Sequence, residues 1–86
     1  MKVQQFEGRN GAVKNQFLIS DNGKTIFQSY DSIIAINEHG AITLDSKFWD
    51  YSKTTGKYRN QFLGETKKET EQKIKSGIYK LANLNN

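Results

Sequence analysis

The stretch that decides the fold runs from Phe48 to Gly64, FWDYSKTTGKYRNQFLG. It holds the only tryptophan and five of the ten aromatic residues. Before it the apolar pattern alternates at strand spacing, and from it onward the period is helical. Asp50 or Ser52 can cap a helix, because either side chain accepts from the free amides of a first turn. Tyr51, Thr55, Tyr58 and Phe62 then recur at i, i+4, i+7 and i+11, which is one helical face. Gly56 weakens the helix locally by about 1 kcal/mol relative to alanine, and Gly64 is a natural stop just past the last turn. The spacing turns Tyr51, Thr55, Tyr58 and Phe62 toward a sheet and leaves Lys53, Lys57 and Arg59 facing out. Trp49 falls at the joint between sheet and helix.

Downstream, Thr66-Lys67-Lys68-Glu69 has the pattern of a capping box, in which Thr66 and Glu69 satisfy each other's amides. The helix it starts runs to about Ser76 and stops at Gly77. Ile74 is its one strong apolar residue, so this helix is expected on the surface, burying little. Ile78 to Leu84 reads as a final strand or extended tail at a sheet edge, with frayed asparagines after it. Upstream, Val3 to Glu7 and Val13 to Ser20 are strand candidates joined by Arg9-Asn10-Gly11, whose Asn-Gly pair is a strong hairpin signal. Phe17, Leu18 and Ile19 form the apolar centre of the second. Asp21-Asn22-Gly23-Lys24 is another such turn, and Glu38-His39-Gly40 a third. Between them lie Thr25 to Tyr30, with Ile26 and Tyr30 on one face and Phe27 on the other, a turn or kink at Asp31-Ser32, and the β-branched run Ser32 to Asn37. Ala41 to Asp45 closes the series.

The expected fold is α+β and a single domain over 1–86. An antiparallel β-meander of four to five strands (1–46) precedes two short helices (50–76) and a C-terminal strand (78–84). Helices packed on one face of the sheet are the economical solution.

At 35% hydrophobic residues the chain is polar, but 12% aromatics in periodic clusters argue against disorder. It has no cysteine, so disulfides and thiolate metal sites are excluded. No apolar run approaches the roughly 20 residues of a membrane span, and Met-Lys-Val-Gln-Gln lacks the apolar core of a signal peptide. A cytoplasmic protein is expected. Net charge is +4, unevenly spread: residues 1–46 carry −1 and residues 47–86 carry +5. A basic half favours anionic partners.

No catalytic constellation is present, so no enzyme, metal or cofactor is expected. His39 stands alone beside Gly40 in a turn. Asp45 and Asp50 flank the tryptophan and suit turns and caps. Thr54-Thr55-Gly56-Lys57 lacks the first glycine of a phosphate loop, five positions before Gly56, and Tyr58 stands where its Ser/Thr would follow Lys57. What remains is a binding surface: Lys53, Lys57, Tyr58, Arg59 and Asn60 on the first helix, and Lys67 and Lys68 on the second. Cations interleaved with aromatics suit phosphates and stacked bases. The second helix's lysines are offset by Glu65, Glu69 and Glu71, so the first helix is the stronger candidate.

The run Trp49-Asp50-Tyr51-Ser52-Lys53-Thr54-Thr55-Gly56-Lys57-Tyr58, with Phe62-Leu63-Gly64 and Thr66-Lys67-Lys68-Glu69 after it, resembles a C-terminal signature of small bacteriophage proteins of unknown function. Phe27 to Ala35 is also similar, so the resemblance covers about 27–85. It implies phage origin, a place in the host cytoplasm, and a small accessory role in which such proteins block a host defence factor, as anti-CRISPR proteins do. The implied partner is a bacterial host protein or nucleoprotein complex. Direct nucleic-acid binding is the alternative, and a homodimer through an exposed sheet edge the third.

Overall fold

A computed structural model of the chain describes residues 2–8 and 11–85. Five strands follow one another as antiparallel neighbours: β1 (Lys2–Gly8), β2 (Gly11–Asp21), β3 (Lys24–Ser29), β4 (Ser32–Glu38) and β5 (Ala41–Asp45). Two helices come next, α1 (Lys53–Leu63) and α2 (Lys67–Lys75), and β6 (Lys80–Ala82) completes a six-stranded sheet in sequence order. This is the expected α+β architecture, with the meander at five strands. The Arg9 and Asn10 part of the first expected turn lies outside the described residues.

Turn chemistry sets the meander. Asn22-Gly23 and His39-Gly40 are two-residue loops with positive φ throughout (47° and 85°, 54° and 88°), the primed geometry that matches strand twist. His39 lies over Gly23, where an added Cβ would stand 2.7 Å from the exposed imidazole and push it aside, and the φ of 85° itself favours glycine. The third loop is Tyr30-Asp31, since Ser29 pairs with Ser32. Tyr30 takes φ 57° and its N–H donates to the Asn15 carbonyl at 2.7 Å. Tyr30 is therefore a turn residue, outside the alternation of β3.

The direction of β6 was not legible in the sequence. It runs parallel to β5, because a parallel neighbour needs a long crossover, and α1 with α2 provides it. The strand is only three residues long. Beyond it the chain is pinned: the Asn85 side chain accepts from the Ile33 N–H at 2.6 Å and donates to the Ile33 carbonyl at 2.8 Å. Its carboxamide continues the pairing of β4 after β5 has ended, so Asn85 is held where fraying was expected.

The core lies between the sheet and the helices. Phe6, Phe27, Ile34, Ala35, Leu44, Tyr58 and Tyr79 are buried, and Leu18, Ile42, Phe62 and Ile74 pack onto them. Phe27 meets Phe6 edge-on at 5.1 Å and stacks with Phe62 at 5.8 Å. A register slip after Phe27 leaves Ile34 as an extra residue, so that β4 buries both Ile34 and Ala35.

Two buried carboxylates close the frame. Asp45 accepts from the amides of Lys47, Phe48 and Leu84, tying the end of β5 to the tail. Glu65 accepts from the Thr70 hydroxyl (2.6 Å), Lys73 Nζ (2.7 Å) and the Tyr79 hydroxyl (2.7 Å), joining the helix loop to α2 and the approach to β6. Burial pushes both carboxyls up, and these hydrogen bonds outweigh it, so each is held below its ordinary value.

Candidate functional site

Ser52 caps α1, with its hydroxyl accepting from the Thr55 N–H at 3.1 Å. Gly64 ends the helix at φ 70°, its N–H donating to the Asn60 carbonyl. Thr55 and Tyr58 face the sheet as expected: Thr55 bonds Ser29 at 3.0 Å, and Tyr58 meets Phe6 at 5.8 Å. Tyr51 does not join them. It precedes the cap, so helical periodicity does not govern it, and it is 68% exposed.

On the outer side of α1 a cleft of about 580 Å³ is lined by Asp50, Ser52, Lys53, Gly56, Lys57, Arg59, Asn60 and Lys67. Five of the seven residues singled out in the sequence therefore converge: Lys53, Lys57, Arg59, Asn60 and Lys67. Tyr58 belongs to the core, and Lys57 Nζ sits 5.4 Å from its ring centre. Lys68 is exposed on α2 and does not line the cleft.

Arg59 corrects the sequence reading most. Expected to face out, it is 1% exposed. Its guanidinium stacks 5.2 Å from the Trp49 ring centre, donates to the Trp49 carbonyl at 2.7 Å and to Asp50 at 3.3 Å, and donates to Asn60 Oδ1 at 3.0 Å. Asp50 also pairs with Lys67 at 2.7 Å. Burial raises the Asp50 carboxyl, but the bonds and charges of Lys67 and Arg59 outweigh it and leave it below the ordinary range. Asp50 and Arg59 thus bind the loop after β5 to both helices. The cleft gathers four cations against one carboxylate, a net of +3. Lys53 and Lys57, both exposed, form its outer wall.

A second cleft, of about 570 Å³, meets the first at Ser52. Hydroxyls of Ser29, Ser32, Thr54 and Thr55 line it beside Phe48, Tyr30 and Tyr51. Tyr51 packs edge-on against Phe48 at 5.4 Å, and Tyr30 is 56% exposed. Neither tyrosine was separable from the core set by spacing alone. The signals that could have found them are the position of Tyr51 before a cap and of Tyr30 in a hairpin loop. A larger groove of about 680 Å³ beside β1 is lined by glutamines, Thr25 and apolar groups, with Glu7 the one charged residue among the described residues there.

Among the described residues no group of three or more His, Cys, Asp or Glu could hold a metal ion. No described helix is long and apolar enough to cross a membrane. The family model of DUF8033, a family of unknown function, matches residues 1–77. The chain belongs to that family. No curated protein and no solved structure matches it. In this DUF8033 member both clefts at α1 lie inside the matched region.

Proposed function

We infer that this chain is a non-enzymatic, phage-encoded binding protein that blocks a bacterial host target, a defence complex in the manner of anti-CRISPR proteins. The observation that carries the reading is the +3 cleft on α1, with Lys53 and Lys57 exposed at its rim and Arg59 and Asp50 fixing its floor. A preorganised cationic wall meets an anionic or nucleic-acid-binding groove without ordering cost at the floor. Occlusion needs no reacting group, which accords with buried carboxylates saturated by structural hydrogen bonds. The resemblance to small phage proteins supports the host cytoplasm as the place of action.

A second reading has its own support. The tyrosine-lined cleft beside the cations combines stacking surfaces with phosphate partners, the arrangement that holds single-stranded nucleic acid. The two readings separate in one experiment. Tagged protein is used to capture partners from bacterial lysate with and without nuclease, alongside a mobility shift with a single-stranded oligonucleotide. Occlusion of a protein target predicts a protein retained after nuclease and no shift. Direct binding predicts a shift that weakens by roughly 10² or more between 50 and 200 mM salt. Neither retention nor a shift would remove both readings.

A further inference from the structure

The helices cover only one face of the sheet. Successive residues of a regular strand point to opposite faces, so Ile19, Ile26, Ile36 and Thr43, each next to one of the core residues Leu18, Phe27, Ala35 and Leu44, are turned away from α1 and α2. Those neighbours form a rank aligned by strand register: Val3 opposite Ile19, Ile19 opposite Ile26, Ile26 opposite Ile36, and Ile36 opposite Thr43. Phe17 and Ile33 flank it one step along, each opposite Gln28. An antiparallel sheet with one solvated face ordinarily shows polar residues there. Here the centre of the open face is aliphatic on three adjacent strands, and Val3 at its end is 54% exposed.

We propose that this open face is the interface of a homodimer, packed sheet against sheet through Ile19, Ile26 and Ile36. The charge around it selects the occupant. The chain carries +4 overall, but the rank bordering the apolar centre is Asp21 opposite Lys24 opposite Glu38, and the centre ends at Lys80. Two cations and two carboxylates cancel. A polyanion or an anionic membrane needs an excess of cations, and the basic excess lies on the helix side. A neutral, mixed-sign border is instead self-complementary under two-fold symmetry. Area agrees: five strands at about 4.8 Å and three ranks at about 7 Å span on the order of 500 Å² per copy, or about 1,000 Å² in all, the low end of specific interfaces. A weak, micromolar dimer follows, with both α1 clefts facing outward on opposite sides and available to a bivalent target. The inference does not depend on what the cleft binds.

The test is sedimentation equilibrium from about 5 µM to about 1 mM, on wild type and on Ile26→Lys. Wild type is expected to move toward twice the 9.9 kDa monomer mass, while folded Ile26→Lys, checked by circular dichroism, stays monomeric. If the lysine variant fails to fold, Ile26→Thr/Ile36→Thr is measured in its place and is expected to associate at least tenfold more weakly. Three results would overturn the proposal. They are monomeric wild type at about 1 mM, undiminished association of the folded variant (which would point to an edge such as β1), and a wild-type monomer that instead cosediments with lipid vesicles through Ile26.

Discussion

Arg59 shows how one residue can look functional in sequence and be structural in space. Its position on α1 made it an outward cation, and only the tertiary placement of Trp49 and Asp50 brings it in. A guanidinium can be buried because it offers a fork of donors and a flat face; here the two terminal nitrogens meet a carbonyl and two side-chain oxygens and the face meets an indole, while Nε has no partner. Removing one partner of such a cluster leaves polar groups unpaired. Arg59→Ala is therefore expected to cost on the order of 2–3 kcal/mol by chemical denaturation. The figure sits below that of a fully buried pair because Asp50 is 36% exposed. Arg59→Lys should recover little, since an ammonium cannot reproduce the fork. Stability like wild type in both variants would refute the clamp. The acid side follows from Asp45, Asp50 and Glu65, each held below its ordinary value. The unfolded chain then binds more protons than the folded one just below the ordinary carboxylate value near ~4. The stability these groups contribute is complete above that value and is lost as pH falls through the depressed one. Unfolding free energy should be level from about pH 6 to 5 and drop below about pH 4. Glu65→Gln should be less stable at neutral pH, with a shallower drop. A variant as steep as wild type would exclude Glu65 as a source.

At the scale of elements, local chemistry was largely readable. The loop at Asn22-Gly23, the stop at Gly64 and the capping box of Thr66 and Glu69 all act over four residues or fewer, so the sequence contains their whole cause. The capping box is present in full, with Thr66 N–H donating to Glu69 at 3.0 Å and Glu69 N–H to Thr66 Oγ1 at 3.2 Å. What escaped was non-local. The parallel course of β6 depends on how the helices cross the sheet, and the pinning of Asn85 depends on Ile33, far away in the chain. Runs such as Phe17-Leu18-Ile19 supply both faces of a strand with apolar residues, so alternation could not say which face the helices would cover. The Asn85 clamp has a direct readout. Asn85→Ala should lower hydrogen-exchange protection of the Ile33 amide by at least tenfold while leaving Phe27 and Leu44 unchanged. Equal protection at Ile33 would mean that the tail contributes nothing to that edge.

For the molecule as a whole, the structure divides the basic half into two parts. Arg59 and Lys67, paired through Asp50, hold the helices to the sheet, and Lys53 and Lys57 stand free of that clamp at the rim. Five of the seven site residues expected from sequence do gather in one cleft, because i and i+4 on a single helix already place Lys53 and Lys57 together. The other two stand elsewhere, Tyr58 in the core and Lys68 exposed on α2; Arg59 lines the cleft but is buried, because helical periodicity sorts residues by angle and does not record what they meet. Charge reversal at Arg59 would thus confuse unfolding with lost binding, and a clean test must leave it alone. The deciding measurement is target capture from bacterial lysate by Lys53→Glu/Lys57→Glu against wild type, with thermal midpoints taken in parallel. Midpoints within about 3 °C of each other are expected, with at least a tenfold loss of captured target. Undiminished capture by that folded variant would contradict the assignment of the rim lysines to the binding surface.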